Sequence, residues 1–287
     1  MGSIGIMAGS GQFPFLVARG ARADGLRVVI CGFHGNTDPA LEVEADVFSM
    51  VHLGQLGKLI DFFKRSGVSR ACMAGAISKP RALDLKPDFR VAKLIFKLAG
   101  NKGDDAILRA VAEELQSEGI SIVPPDALVP ALRSPAGILG RVQPDKEIWS
   151  DARYGYGIAK TMGALDIGQC VVVRSGMVIA VEAIEGTDAA ITRGGELGGP
   201  GCTVVKVVKP DQDRRLDLPS IGAGTIELLT KYKMTCLAFD ADGTLFFDRA
   251  AALALADKNG IAVVGLPRDV DRFFSEGAQT SGSTGSL

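Results

Sequence analysis

The sequence predicts an α/β protein with two domains: an N-terminal domain built on a parallel sheet and a C-terminal domain built on a mixed sheet. Short apolar runs alternate with amphipathic stretches up to about residue 132, which is typical of a parallel sheet with helices on both faces. A segment rich in proline and glycine, 134–140, interrupts this alternation. Beyond it, two apolar runs joined by Ser175-Gly176 indicate a hairpin, so the second sheet is at least partly antiparallel.

The composition restricts the class of protein. The chain has 287 residues, 23% of them charged, and a net charge of −1. We therefore expect no nucleic-acid partner, because such binding requires a concentration of positive charge. Five scattered cysteines without a C-x-x-C motif favour buried free thiols, and the presence of only His34 and His52 excludes a histidine-rich metal site.

The N-terminal domain, residues 1–133, is predicted to be Rossmann-like. Its first strand, Ser3–Ala8, leads through Gly9-Ser10-Gly11 into a helix with Pro14 in its first turn. Such a turn can present a phosphate to a helix N-terminus, so Gly9, Ser10 and Gly11 are candidate substrate contacts. Proline replaces the last glycine of a G-x-G-x-x-G motif, and no acidic residue ends the second strand. An ordinary tight turn is therefore an equal alternative.

Two more candidate contacts lie in this domain. Lys79 follows the predicted strand Arg70–Ala74, at the end of the sheet where ligands of such folds bind. A solvated lysine is the alternative. Asp104 opens a predicted helix, where an acidic residue also serves as a cap. The apolar-rich helix predicted at 88–99 either belongs to the core or lines an apolar slot.

The C-terminal domain, residues 134–266, has the most polar strand ends. A predicted strand at 178–181 is followed by Glu185-Gly186-Thr187-Asp188, and a second at 203–208 is followed by Lys209–Asp217. Carboxylates and cationic side chains gathered at strand ends suit a phosphate held by a divalent cation. Solvated turns are the alternative. Residues 267–287 are charged and then rich in Ser, Gly and Thr, and we predict a disordered tail.

A second acidic motif, Asp240-Ala241-Asp242-Gly243-Thr244, matches the D-x-D-G-T signature of haloacid-dehalogenase-type phosphatases. In those enzymes the first aspartate is the nucleophile and the second is the general acid. They carry the motif near the start of a long domain, whereas little of this chain follows it. We favour a hairpin with Asp242-Gly243 as its turn, between strands at 236–239 and 245–247. A phosphomonoesterase that uses Asp240 and Asp242 stays open as an alternative.

Together the motifs resemble a single family over almost all of residues 3–265. The most specific segments are Ala8–Pro14, Gly103–Asp105, Asp166–Gln169, Glu182–Asp188 and Lys209–Pro219. They resemble the LpxI-type UDP-2,3-diacylglucosamine pyrophosphatases of lipid A biosynthesis, chiefly because Glu-Gly-Thr-Asp and Gln-Asp-x-Arg-x-Asp occur in one chain. That family usually has glycine at the position of Asp211 and has no D-x-D signature, which favours the hairpin.

The resemblance implies a two-domain cytosolic enzyme of a Gram-negative bacterium. It would use Mg²⁺ or Mn²⁺ to hydrolyse UDP-2,3-diacylglucosamine to UMP and 2,3-diacylglucosamine 1-phosphate (lipid X), with water attacking the sugar-side phosphorus. We expect no signal peptide and no membrane span, because the N-terminal residues lack a charged n-region and a long apolar h-region and no apolar stretch approaches the length of a span. We therefore expect a cytoplasmic protein, with peripheral contact with the inner membrane because the substrate is amphipathic. A homodimer and a non-catalytic nucleotide-sugar or lipid binder both stay open.

The chemistry of pyrophosphate hydrolysis assigns roles to the loop residues. Asp217 and Asp213 lie four residues apart after a strand and are the predicted catalytic carboxylates, either as metal ligands or as the base that orients water; Asp188 is the third predicted metal ligand. Lys209 and Arg215 would neutralise phosphate charge, with ion pairs to neighbouring acids as the alternative; for Asp188 the alternative is a helix or turn cap. The predicted substrate contacts in these loops are Glu185, Gly186, Thr187, Asp188, Lys209, Gln212 and Arg215.

Overall fold

A computed structural model describes residues 2–77, 87–97 and 104–280 of the protein and divides the chain into two compact units. The first comprises the chain up to Ala131 together with Asp213–Asp217. The second comprises Leu132–Gln212 and the chain from Leu218 onward. The short polar segment Asp213–Asp217 therefore leaves the second unit, in which its neighbours in sequence lie, and folds with the first.

The first unit is a parallel sheet covered by helices. Its strands are β1 (Ser3–Ala8), β2 (Arg27–Phe33), β3 (Val47–Val51), β4 (Arg70–Ala74) and β5 (Ser121–Ile122). Its helices are α1 (Phe13–Ala23), α2 (Leu56–Arg65), α3 (Phe89–Lys97) and α4 (Asp104–Ser117). The strand order is β3-β2-β1-β4-β5, and each neighbouring pair is parallel. β1 and β2 bury almost every residue, as strands covered on both faces do. The predicted N-terminal fold class is confirmed.

The second unit is built on a mixed sheet, also as predicted. Its strands are β6 (Gly137–Ile138), β7 (Cys170–Arg174), β8 (Met177–Val181), β9 (Thr203–Lys206), β10 (Ser220–Ile221), β11 (Cys236–Asp240), β12 (Leu245–Phe246) and β13 (Ala262–Leu266). The main sheet has the order β6-β13-β11-β9-β7-β8. Its central strands β9, β11 and β13 are parallel, whereas β6, β7 and β8 run antiparallel to their neighbours.

Helices cover both faces of this sheet. They are α5 (Lys146–Ala164), α6 (Thr187–Gly198), α7 (Ala223–Lys231), α8 (Arg249–Lys258) and α9 (Val270–Thr280). Residues of α6, α7 and α8 share one apolar cluster with the sheet, and residues of α5 and α9 share another. All five cysteines are buried free thiols, as predicted. Within the described residues, no helix is both long and apolar enough to cross a bilayer.

The predicted hairpin at 236–247 is wrong. Both edges of β11 are already occupied, by β9 and β13, so no hairpin partner can pair with it in the sheet. The chain instead turns away at Asp242, which has a left-handed φ of 59° and donates its N–H to the Ser134 carbonyl at 3.0 Å. β12 then pairs with β10 in a separate parallel pair.

The predicted disordered tail is also wrong in part, because 270–280 form α9. The charged composition conceals an apolar stripe of Val270, Phe273 and Phe274, spaced as on one face of a helix. Phe274 is buried, and both phenylalanines meet the Trp149 ring edge-on, with ring centroids 5.5 and 6.1 Å apart. Residues 281–287 lie outside the described part of the chain.

Candidate active site

The Lys209–Asp217 segment begins in the second unit with a turn closed by its own side chains. The Lys209 N–H donates to Gln212 Oε1 at 3.1 Å, and the Gln212 N–H donates to the Lys209 carbonyl at 3.1 Å. Lys209 Nζ donates to Asp166 Oδ1 at 2.6 Å. Two of the predicted substrate contacts therefore lie together, and the ammonium group of Lys209 already has a carboxylate partner.

The second part of the segment, Asp213–Asp217, forms a single turn in the first unit. The N–H groups of Leu216 and Asp217 both donate to the Asp213 carbonyl, at 2.9 and 3.3 Å. Leu216 is buried in the apolar cluster beneath α2 and α4. Asp217 is exposed. The buried leucine thus anchors the turn and places the two predicted catalytic aspartates one turn apart at the surface.

Asp213 is held by Arg215 in a two-pronged ion pair. Arg215 Nη2 lies 2.6 Å from Asp213 Oδ2, Arg215 Nε lies 3.0 Å from Oδ1, and the Arg215 backbone N–H lies 3.0 Å from Oδ1. The hydrogen bond from Arg215, followed by smaller electrostatic contributions that include Arg109, lowers the pKa of Asp213 below its ordinary value. Asp213 is therefore a stabilised anion.

Arg214, the neighbour of Arg215, makes a more buried contact that sequence reasoning missed. Its Nη2 lies 3.2 Å from Oδ2 of Asp126, a carboxylate that is almost fully buried in the first unit. This ion pair is a second attachment of the Asp213–Asp217 turn, beside Leu216. The sequence does not distinguish these two adjacent arginines. Only the structure shows that Arg214 pairs with a buried carboxylate, whereas Arg215 pairs with Asp213 and is exposed.

The Glu185–Asp188 cluster lies at the start of α6, a helix that sequence reasoning did not predict. Gly186 has φ 84°, and Thr187 and Asp188 form the first helical turn. Glu185 accepts from Arg193 Nη2 at 2.6 Å and from the Ala183 N–H at 3.1 Å. The bond from Arg193 is the main reason that the pKa of Glu185 is lowered. The four residues thus lie together at the amino end of a helix, an arrangement that favours bound anions as well as helix caps.

Two buried charges at the same end of the sheet were not among the predicted site residues. Glu182 follows β8 and accepts from Thr187 Oγ1 at 3.0 Å and from the Gln169 N–H at 3.2 Å. Lys206, the last residue of β9, donates to the Ser220 carbonyl at 2.8 Å. Each is 7% exposed, and across the described ranges neither forms an ion pair. The sequence did contain a signal for one of them, because Lys206 is a charged residue inside the apolar run at 203–208.

The Gly9 turn uses its glycines for close packing. The Gly9 and Ser10 N–H groups donate to the carbonyls of Ala74 and Ala76, each at 2.7 Å, and Ser10 Oγ also donates to the Ala76 carbonyl at 3.0 Å. A Cβ at Gly9 would lie 2.4 Å from the Ala76 oxygen. Two of the backbone donors predicted for phosphate are thus satisfied by the end of β4 and the loop after it. Gly11 faces open space, with φ 87°.

The remaining predicted contacts are only partly described. Lys79 lies outside the described residues. Asp104 is the first residue of α4, and its side chain lies outside the described part of the structure.

Asp240, the first aspartate of the D-x-D-G-T motif, is buried. Its Oδ2 accepts from Lys160 Nζ at 2.5 Å and from the Val208 N–H at 2.7 Å, and its residue is 8% exposed. Burial, with a smaller contribution from the charge of Asp240, raises the pKa of the nearby Tyr156 to about 12. A nucleophile must reach its substrate, and this carboxylate instead holds an ammonium group and a backbone N–H.

The described residues contain no group of three or more His, Cys, Asp or Glu side chains arranged to hold a metal ion. The turn does offer the carboxylates of Asp213 and Asp217, one helical turn apart. Mg²⁺ is usually bound by one or two carboxylates and completes its shell with water and phosphate oxygens. The donor set of this turn therefore fits such an ion in its chemistry, provided that Asp213 can exchange Arg215 for it.

The two units define a two-part α/β protein with a polar, arginine-rich turn carrying an exposed aspartate. Comparison with known families identifies its class. The LpxI N-terminal domain family matches residues 3–132, and the LpxI C-terminal domain family matches residues 135–264. The chain therefore belongs to the LpxI family.

Two individual relatives give further context. The chain is 35% identical over 280 residues to the UDP-2,3-diacylglucosamine pyrophosphatase LpxI of Caulobacter vibrioides, covering 93% of this chain and 98% of that protein. Among solved structures, the biotin carboxylase subunit of pyruvate carboxylase aligns with 64% of this chain and 39% of its own, at 12% identity. Its TM-score of 0.27 is too low to support any conclusion.

Proposed function

We propose that this protein hydrolyses the pyrophosphate bond of UDP-2,3-diacylglucosamine and releases UMP and lipid X. The observation that carries the proposal is the similarity to the Caulobacter enzyme over nearly the full length of both chains. The geometry supports it, because an exposed aspartate and an arginine-paired aspartate lie one turn apart on an anchored turn. Hydrolysis of a pyrophosphate needs charge neutralised on its oxygens and a positioned water.

In this proposal Asp217 and Asp213 would hold Mg²⁺ or Mn²⁺, which when bound neutralises phosphoryl oxygens and makes bound water more acidic. Arg215 would exchange part of its contact with Asp213 for a phosphate oxygen, since both are bidentate acceptors for a guanidinium group. Lys209 would add a second positive charge from the first part of the segment. We propose that water attacks the phosphorus on the sugar side.

The test is UMP release from UDP-2,3-diacylglucosamine with Mg²⁺, and with EDTA in its place. We expect Asp217→Ala to lower kcat at least about a hundredfold, since it removes a group used in the reacting centre. Asp211→Ala, in the same segment and with the same change in charge, is the matched control and should stay within about threefold of the wild type. Hydrolysis in ¹⁸O-water should label lipid X, whereas label in UMP would refute attack at the sugar side.

Two results would favour the rival functions. Binding of the substrate without UMP release at any Mg²⁺ concentration would indicate a non-catalytic binder. Loss of activity in a folded Asp240→Ala variant, together with full activity in Asp217→Ala, would indicate a phosphatase that uses the D-x-D-G-T motif.

Contact with a membrane surface belongs to the same proposal, because the substrate carries two acyl chains. Phe89 and Phe96 are 85% and 82% exposed and lie seven residues apart, on one face of α3, with the exposed Lys93 between them. Aromatic rings beside a basic residue suit the bilayer interface. Phe89→Ala with Phe96→Ala should weaken sedimentation with anionic vesicles, whereas Ile184→Ala, at an 88% exposed site in the other unit, should not. Equal sedimentation of both variants would reject this surface.

A further inference from the structure

The strand end before the Lys209–Asp217 segment is held by a pair of charged side chains that the proposed reaction does not use. Asp240 Oδ2 accepts the Val208 N–H at 2.7 Å. Lys160 Nζ donates to the Val208 carbonyl at 2.8 Å and to the same Asp240 oxygen at 2.5 Å. Both backbone polar groups of Val208 are therefore bound by one ion pair, directly before Lys209.

The backbone around this ion pair is shaped for close contact. A Cβ at Gly243, within the D-x-D-G-T motif, would lie 2.4 Å from Val208 Cγ2. A Cβ at Gly163, near the end of α5, would lie 3.2 Å from the Lys209 Cα. Glycines on two different elements thus allow the loop after β11 and the end of α5 to contact residues 208 and 209. These contacts enclose Val208 and Lys209, the residues at which the chain leaves the sheet.

We propose that Asp240 and Lys160 are positioning residues for the Lys209–Asp217 segment. Val208 is the last residue before the turn that contains Lys209 and Gln212, and fixing both its polar groups fixes the direction in which that turn begins. This gives Asp240, the buried first aspartate of the D-x-D-G-T sequence, a role in positioning the backbone. The inference rests on the proposed function, because it assigns the segment to substrate.

The second unit supplies a matched control. Asp151, buried like Asp240 and on α5 like Lys160, accepts the N–H groups of Ser175 and Gly176 at 2.8 and 2.7 Å in the turn between β7 and β8. In the pairing of β7 with β9, Val173 faces Thr203 and Cys170 faces Lys206. The Ser175-Gly176 turn therefore lies at the amino end of β9, whereas Val208 follows its carboxyl end. Asp151 and Asp240 thus bind backbone groups at opposite ends of the strands of one sheet.

The experiment combines hydrogen exchange with steady-state kinetics on the full chain. Asp240→Asn and Lys160→Met should each raise amide exchange at 208–212 at least tenfold and lower kcat for UDP-2,3-diacylglucosamine at least tenfold, with KM within threefold. Lys160→Arg, which keeps the charge and the donors, should restore most of kcat. Asp151→Asn should raise exchange at 174–177 only and leave kcat within twofold.

The outcomes separate the inference from the proposed function. If Asp240→Asn abolishes activity without faster exchange at 208–212, Asp240 acts on the substrate directly and positioning is refuted. If exchange rises while kcat is unchanged, the ion pair only stabilises the fold, and positioning is again refuted. If the wild type releases no UMP, the proposed function fails. Independently of that result, unchanged amide exchange at 208–212 in both variants would show that Asp240 and Lys160 do not position Val208.

Discussion

Asp240 and Asp217 are two aspartates in motifs that resemble those of phosphate-processing enzymes, and the fold gives them opposite surroundings. Asp240 ends a central strand, is buried, and accepts hydrogen bonds from Lys160 and Val208. Asp217 follows the buried Leu216 in a surface turn and is exposed. The D-x-D-G-T match is the better local motif, yet its first carboxylate is enclosed by protein.

The difference lies in what each carboxylate can still bind. A buried charge is tolerated only when partners compensate its desolvation, and once compensated it serves the protein's own backbone. An exposed carboxylate costs little to keep and can be reached by a cation or a substrate. Environment, more than the local motif, therefore separates a structural aspartate from a candidate catalytic one.

The largest expected effect tests this contrast through stability. Asp240→Ala leaves the largely enclosed Lys160 ammonium group without its counter-ion, so we expect the second unit to lose about 3 kcal/mol of unfolding free energy. Asp217→Ala, at an exposed position in the first unit, should change the unfolding free energy of that unit by less than about 0.5 kcal/mol. Urea unfolding followed by circular dichroism reports the helices of both units and compares the two variants, and the fluorescence of Trp149, the single tryptophan, follows the second unit alone. Equal losses would contradict the contrast.

A smaller effect should separate Gly9 from Gly11, the equivalent contrast in the first unit. Gly9→Ala would place a Cβ 2.4 Å from the Ala76 oxygen and 2.7 Å from the Gly75 carbonyl, and overpacking of this kind costs about 2 kcal/mol. Gly11→Ala meets no atom within 4 Å and carries only the strain of φ 87°, about 1 kcal/mol. Thermal unfolding followed by circular dichroism compares the two. A larger loss for Gly11→Ala would show that this turn is not closed by the contact with Ala76.

Much of the fold was accessible from the sequence because its signals are local. Apolar runs alternating with amphipathic helices predicted the parallel sheet of the first unit, and Ser175-Gly176 predicted the antiparallel pair of the second. The hairpin at 236–247 failed because strand pairing is decided by neighbours far away in sequence, here Thr203–Lys206 and Ala262–Leu266. No local pattern reports that both edges of a strand are occupied.

The site was predictable in its residue types but not in its attachments. The sequence indicated that Asp213, Arg215 and Asp217 gather in one polar loop. It could not show that Leu216 and Arg214 fix this loop in the first unit, since their partners lie in distant parts of the chain. The hold of Asp240 on Val208 was equally hidden, because a hydrogen bond between residues 32 positions apart leaves no periodic signal.

Asp213 is intermediate in exposure between the buried Asp240 and the exposed Asp217. The pH dependence of the unfolding free energy should show the contribution of its ion pair. Arg215 lowers the pKa of Asp213 in the folded protein, so the pair contributes stability above the unfolded pKa of about 4, and this contribution is lost as the pH falls through the lower folded pKa. Arg215→Ala should raise the pKa of Asp213 towards its ordinary value, as measured by carboxyl ¹³C NMR. The unfolding free energies of the wild type and of Arg215→Ala should differ at pH 7 and become equal at a pH below the folded pKa of Asp213. A difference that grows in acid would contradict this sign.

The smallest expected effect concerns Glu185, whose partner Arg193 also lies at the surface. The hydrogen bond from Arg193 lowers the pKa of Glu185, so Arg193→Ala should raise that pKa towards its ordinary value in a ¹³C NMR titration. The unfolding free energy should not change measurably, because exposed ion pairs are screened by water and salt. Arg193→Lys, which keeps the charge, should leave the pKa of Glu185 closer to that of the wild type. A loss of stability comparable with that of Asp240→Ala would show that an exposed carboxylate can be as structural as a buried one, and exposure would then no longer separate the two roles.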